Sequence, residues 1–497
     1  MLPKLERHIC NWKREGTDKI NVGELILNGN RIEFYVKDTG NASPAIYIGE
    51  DLGHFYKVVT NSTVQFGTNK TIDLAASYNA RYVLIQNYSF NPGRETSGIT
   101  GFSFVIPELM DWFHGIVTVK MLADSETDEL YAQEISLPEI VLKSDSPRIS
   151  VSFESSSANE TMKIDSRTQA IIKNEPRIFV NYDSTVDTEQ VRKDIRHIMQ
   201  FWGLMIGTVS DALDIRLNIE GAKLKSWLYL NTDFSYNTFS KSVFSRPLTT
   251  IETVGEKIQD YFTSWYDFCC NEKFNLVRNM YFSYNNRKTV FAEDIFVTYV
   301  RVLEGYHLRM TGDEEKANAI KEAISAFSGK IKELIFTDEG KKTFSEALSV
   351  SEANWNFTSK HADAIATWIA SGFLERKGLS ERLKELDKQF YNVISMNSSI
   401  ITDRLGEKQD AKTENLYFRM IVATRNYYSH FKNDPTNVFQ YQQLNDSIYV
   451  LKSLIVMILF SQMVMINDDI RKIVCFDSEL SHRTMFLRQE GEKPPVS

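Results

Sequence analysis

The run Leu25-Ile26-Leu27-Asn28-Gly29-Asn30-Arg31-Ile32-Glu33-Phe34-Tyr35-Val36 decides how this chain begins. Apolar residues alternate on either side of an Asn-Gly pair, and alternation places every second side chain on one face of a strand. Asn28-Gly29 accepts the positive φ values of a tight two-residue turn, so the run reads as a β-hairpin.

Outward from the hairpin the β character continues. Tyr82 to Ile85, Val117/Val119/Met121, Ile149/Val151/Phe153 and Ile178 to Val180 are strand-like, and Asn91-Pro92-Gly93 and Ser144 to Pro147 punctuate them. Short strands at this spacing predict a sandwich-like arrangement or a pair of sheets rather than βαβ units. Thr188 to about Met205 predicts a helix, after which Ile215 to Ile219 and Leu224 to Leu230 return to strand. Whether the part from Asp145 to Pro247 continues the first region or forms a second one is open in the sequence.

The character changes near Ile251. Between Pro247 and Pro494 the only proline is Pro435. Proline in a helix interior costs about 3 kcal/mol, so its near absence favours helices. Ile295, Tyr299, Val302 and Tyr306 recur at helical spacing, as do Leu444, Ile448, Leu451 and Ile455. The expected fold class is α+β, a β-rich N-terminal region followed by an all-α bundle. The expected division is 1–144 as a β-rich domain, 145–250 as a second β-containing region with a helix, 251–285 as a helical connector and 286–497 as the helical domain.

Composition narrows the function. The chain has 497 residues, a formal net charge of −8 and 25% charged residues, with a pI near 5.7. Proteins that coat nucleic acid without selectivity are usually basic, because phosphate neutralisation drives their affinity. A small local nuclease site remains compatible. Four cysteines, with Cys269 and Cys270 adjacent, make a poor disulfide framework and lack zinc spacing. The N-terminus has no apolar signal core, and the apolar run Ser453 to Ile466 is shorter than the roughly 20 residues that span a bilayer. These features predict a cytoplasmic protein with no membrane anchor. No P-loop, dinucleotide fingerprint or H-E-x-x-H occurs, so no cofactor and no metal are expected.

The chemistry concentrates in Arg425-Asn426-Tyr427-Tyr428-Ser429-His430. Arginine carries a permanent planar charge that can hold phosphate at two points. Histidine moves a proton near neutral pH. Together they suit activation of a ribose 2′-hydroxyl and stabilisation of the phosphorane it forms. The motif is expected toward the end of a helix starting near Thr413. Five residues on an ideal helix amount to about 140° of rotation, so the two side chains do not share a face. Convergence needs the helix to end or bend near His430, or a second copy of the motif. Asn433-Asp434-Pro435 supplies a stop just beyond it.

Arg425-Asn426-x3-His430 resembles the signature of HEPN-domain ribonucleases. The helix with Val302-Leu303-Glu304 is similar to their first helix, and the apolar helix after the motif to their last. With the β-rich front and its Gly23-Glu-Leu-x-Leu-Asn-Gly29 pattern, the whole chain resembles the ApeA family of bacterial antiphage proteins.

The resemblance implies a homodimer joined through the HEPN domain, cutting RNA without metal to a 2′,3′-cyclic phosphate and a 5′-hydroxyl. It assigns proton transfer to His430, phosphorane stabilisation to Arg425, and supporting roles to Asn426 and Glu304. Tyr427, Tyr428 and Lys432 are candidate RNA contacts, the tyrosines through stacking on bases or else through plain packing. Arg301, Glu304 and His307 also fit an ordinary surface ion-pair row. The segment from about Thr311 to Ser398 exceeds what a minimal HEPN hairpin needs and is expected to be an insertion.

The leading expectation is an abortive-infection toxin that cuts RNA, with tRNA the expected target and the β region sensing an infection signal such as a phage protein. The alternative is a non-catalytic HEPN-type dimeric sensor or adaptor that binds RNA or a phage protein.

Overall fold

The computed structural model describes residues 5–28, 31–37, 44–51, 53–67, 75–87, 98–113, 121–123, 130–132, 140–145, 148–164, 167–209, 212–221, 226–231, 236–237, 247–285, 291–312, 322, 324–330, 332–334, 336–347, 360, 363–364, 377–402, 410–430, 435–465, 469–470 and 473. The chain divides into two compact units. One comprises Met1–Asn275, Asn279–Val290 and Val456–Ser497, and the other comprises Leu276–Arg278 and Phe291–Ile455.

The first unit is built on β1 (Leu5–Arg14), β2 (Ile20–Asn28), β3 (Arg31–Val36), β4 (Ile46–Glu50), β5 (His54–Gly67) and β6 (Ala75–Asn87). The hairpin read from the sequence is present as β2 and β3, with Leu27↔Ile32 and Leu25↔Phe34 as partners. The ladder runs on to Asn28↔Arg31, so Asn28 is itself paired. Asn28, expected in the turn, therefore belongs to the strand, while Gly29 and Asn30 lie outside the described residues. This register and the one expected from the sequence bury the same side chains, which is why hydrophobic alternation alone could not choose between them.

These six strands close on themselves. β1 pairs with β2 and with β4, β3 pairs with β2 and with β6, and β5 pairs with both β4 and β6. A closed ring removes the unpaired edges that a sheet otherwise exposes. Its interior is filled by Trp12, Leu25, Leu27, Phe34, Val36, Tyr47, Tyr56, Val58 and Tyr78, all buried. Trp12 fits because glycine stands beside it: a Cβ on Gly49 would lie 2.6 Å from its ring.

The sheet continues past the ring through β7 (Ile99–Val105), β8 (Leu142–Asp145), β9 (Arg148–Ile164), β10 (Arg167–Val186), β11 (Leu213–Ile219) and β12 (Ser226–Leu230), in the order β8-β9-β10-β7-β11-β12-β6. The strands after Asp145 therefore join the sheet begun by the first hairpin. Among the described residues twelve strands make one antiparallel sheet. Met121–Ala123 forms a separate short ribbon with Leu130–Ala132; the neighbouring Val117 and Val119 lie outside the described residues.

Helix α1 (Thr188–Ile206) starts where predicted, with Asp187 accepting from the Gln190 backbone N–H at 2.7 Å. It meets α2 (Ile258–Cys270) through Phe201 and Phe262 and through a hydrogen bond from the Trp265 indole to the His197 carbonyl at 3.0 Å. Asp194, fully buried on α1, accepts from the hydroxyls of Tyr182 and Tyr266 and, at 2.9 Å, from the Gln190 amide. Burial pushes its carboxyl up to about 6 against the opposing pull of those donors.

The second unit is helical, as its proline-poor, helix-period sequence predicts. It contains α3 (Ala292–Thr311), α4 (Leu379–Gln389), α5 (Ala411–His430) and the start of α6 (Tyr441–Ser461). Phe296 of α3 meets Phe439, and the Tyr417 hydroxyl of α5 donates to Ser447 of α6 at 3.0 Å. Among the described residues α6 is the one helix long and apolar enough to cross a membrane, and 78% of its apolar window is buried inside the fold. After α4 the chain turns sharply through Tyr391 and Asn392, both with positive φ. Buried Asp387 holds that turn by accepting from the backbone N–H groups of Ile394 and Ser395 at 2.5 and 2.9 Å.

Candidate functional site

The motif lies on the last two turns of α5, which is helical through His430. Tyr417, Phe418, Ile421 and Thr424 are the buried positions of this helix. Their spacing fixes its roll, and Arg425 then falls at the margin of the packed face. The Thr424 hydroxyl accepts the Phe439 backbone N–H at 2.9 Å. Phe439 is thereby held against α5.

Arg425 is held from two sides. Its Nη2 donates to Oε2 of Glu304 on α3 at 3.3 Å, and its Nη1 donates to Oδ1 of Asn426 at 3.0 Å. The side chains of Arg425 and Glu304 are 22% and 24% exposed, partly desolvated yet open to an incoming ligand. The Nε of Arg425 is buried without a hydrogen-bond partner among the described residues. Arginine, asparagine and Glu304, proposed together from the sequence, are thus contiguous.

The other oxygen of Glu304 accepts from Nη1 of Arg382 on α4 at 3.1 Å. Arg382 escapes a reading of the sequence, because 78 residues separate it from Glu304 and no local pattern marks it. It stands within the segment 311–398 that was expected to be an insertion. A second rung lies one helical turn on: His307, wholly buried, is 2.8 Å from Oε2 of Glu385, which also receives Lys377. Because 304 meets 382 and 307 meets 385, α3 and α4 run in the same direction here. Glu304 and His307 therefore face α4 instead of forming a surface row with Arg301, which is exposed.

His430 is the exposed last residue of α5 and makes no hydrogen bond or ion pair among the described residues. On this continuous helix it is turned about 140° from Arg425 and advanced by about 7.5 Å. The two do not meet on one face of α5. Tyr427 and Tyr428 are half-buried and pack edge-to-face, with ring centres 5.1 Å apart at 83°. Burial, aided by the charge of Glu293, raises the Tyr428 hydroxyl above its ordinary pKa. Lys432 lies outside the described residues. Among the described residues no group of three or more His, Cys, Asp or Glu side chains is arranged to hold a metal ion.

Chemically, the arrangement offers a fixed guanidinium with N–H groups to spare and, at the helix end, an accessible imidazole. A guanidinium so held can bind a phosphodiester through paired N–H donors. An accessible imidazole can exchange a proton with a hydroxyl.

Comparison with known families agrees with this reading of the two halves. The family model for ApeA N-terminal domain 1 matches residues 9–265, and that for Apea-like HEPN matches residues 297–469. No curated protein and no solved structure matches the chain.

Proposed function

This chain belongs to the ApeA family of antiphage HEPN-type effectors, and from that premise we propose that it is a metal-independent endoribonuclease. The observation that carries the reading is the Arg425 guanidinium, oriented by Glu304 and Asn426 at a partly open surface of the HEPN match. An arginine that served only to pair with Glu304 would have no need of a second orienting amide beside it.

In the proposed reaction a ribose 2′-hydroxyl attacks the adjacent phosphorus. Neutral His430 accepts the hydroxyl proton as the new O–P bond forms. Arg425 donates hydrogen bonds to the non-bridging oxygens, whose charge grows in the phosphorane. The P–O5′ bond then breaks, and the 5′-oxygen takes a proton from an imidazolium or from water. The products are a 2′,3′-cyclic phosphate and a 5′-hydroxyl, and neither oxidant nor metal is required.

Since Arg425 and His430 of one helix diverge, the site takes each from a different copy of α5 across a two-fold axis, which makes the homodimer the active species. Tyr427 and Tyr428 flank the cleft and contact bases, as does Lys432 the backbone. The substrate class is RNA, with tRNA the choice that stops translation most directly. The N-terminal β region senses the infection signal, a phage protein being the simplest form, and cleavage then aborts the infection.

A second reading has one observation in its favour. Glu304 already neutralises part of Arg425, as it would in a purely structural pair within a non-catalytic dimeric adaptor. The test is to incubate purified protein with total tRNA in EDTA, with extract from infected cells as activator, and to map the ends. Cleavage by wild type with cyclic-phosphate ends, lost in Arg425→Ala and His430→Ala, supports the enzyme. Identical behaviour of all three proteins supports the adaptor.

A further inference from the structure

The Glu304 carboxylate is shared between two guanidinium groups, one oxygen to each. Arg382, the second of them, is 5% exposed, and its Nε is buried with no hydrogen-bond partner among the described residues. Burying a charged group with an unfilled donor is costly, and a simple Glu304–Arg425 pair would have avoided it. Two arginines against one carboxylate leave the cluster with one surplus positive charge. The surplus sits in a poorly solvated place, where it acts over a longer range than on an open surface.

We propose that Arg382 is a positioning residue for phosphate binding, holding one Glu304 oxygen so that the carboxylate cannot close on Arg425 with both. The proposal rests on the reading of this site as one that takes RNA. With Arg382 in place, Arg425 is oriented by a single oxygen and keeps donors for the phosphodiester. Without it, Glu304 is free to engage Arg425 in the two-point geometry that carboxylate and guanidinium favour, and the local charge falls to neutral. The His307–Glu385 rung, one turn along both helices, fixes α4 against α3 and so keeps Arg382 in register with Glu304. This gives the segment beyond a minimal HEPN hairpin a definite task. It brings a buried cation to the back of the site.

The test uses the full chain and a fluorescent single-stranded RNA with 2′-O-methyl groups at every position, which binds but offers no 2′-hydroxyl. Anisotropy is followed as a function of salt. Arg382→Met should weaken binding about fivefold at low salt and reduce the slope of log K against log salt by about 0.7, the loss of one phosphate neutralised. Adding Glu304→Gln to that variant restores the charge balance and should return affinity to within about twofold of wild type. A purely structural role for Arg382 would not be repaired by removing a second charge. If Arg382→Met does not fold, Glu304→Gln alone decides, since it should tighten binding and steepen the slope. Unchanged affinity and slope in Arg382→Met, no repair in the double variant, or no tightening in Glu304→Gln would overturn the proposal. A protein that shows these binding changes but leaves unmodified RNA intact would overturn the ribonuclease reading and leave this one standing.

Discussion

Glu304 and Arg425 are 121 residues apart in the chain and 3.3 Å apart in the fold. The pairing couples the first helix of the HEPN match to the motif helix. It sets where a phosphate can be held, because an arginine fixed at one edge presents the others.

Glu304→Ala should therefore separate binding from turnover. Removing the carboxylate leaves Arg425 more cationic but mobile, so kcat should fall about tenfold while the apparent affinity for RNA holds or improves. Single-turnover cleavage across a range of protein concentrations reads both quantities. A loss confined to affinity would contradict the orienting role.

Stability should depend on pH through Asp194. Its carboxyl is raised to about 6 in the fold, above its value in the unfolded chain. The folded state then binds the proton more tightly, so this group's contribution is greatest at low pH and is lost as pH rises through about 6. A shift of this size corresponds to about 3 kcal/mol between pH 3 and pH 7. Asp194→Asn removes that dependence, so wild type should lose stability relative to the variant over this window. Parallel denaturation curves at pH 4, 5, 6 and 7 give the difference directly.

Asp387→Ala should destabilise the helical unit by about 2–4 kcal/mol, because the backbone N–H groups of Ile394 and Ser395 lose a buried acceptor. The positive φ values at Tyr391 and Asn392 then have less to hold them. Asp387→Asn, which retains an acceptor, should lose less. Urea unfolding monitored by helical circular dichroism distinguishes the two.

Gly49→Ala tests the closed ring of strands. The new methyl would meet the Trp12 ring at 2.6 Å, with the indole enclosed on its other sides by Phe34 and Tyr56. Overpacking of this kind should cost about 1–3 kcal/mol, seen as a lowered unfolding midpoint by tryptophan fluorescence.

Much of this architecture was legible in the sequence for local reasons. Leu25, Leu27, Ile32, Phe34 and Val36 announce a hairpin because alternation is a property of neighbours, and the helix from Thr188 to about Met205 was likewise named from its own stretch of sequence. The ring closure was not legible, since the β1–β4 and β5–β6 pairings depend on partners that no short window contains. The pairing register of β2 with β3 escaped because two registers bury the same side chains. At the site, Arg425, Asn426 and Glu304 could be named from a motif and a resemblance. Arg382 could not, because a basic residue on a charged helix looks like a solvated one until the fold buries it. The divergence of His430 from Arg425 is a consequence of helix geometry alone, and the unbroken α5 leaves it in force.

Subunit complementation tests most directly whether Arg425 of one copy works with His430 of another. Arg425→Ala and His430→Ala proteins, each inactive alone, are mixed after mild dissociation and assayed on RNA in EDTA. Half of the re-formed dimers carry one variant chain of each kind, and in these one of the two sites recovers an intact arginine and an intact histidine. Activity should return to about a quarter of the wild-type value. Mixed dimers that are verified to form, yet stay inactive where wild type cuts, would contradict a site shared between copies.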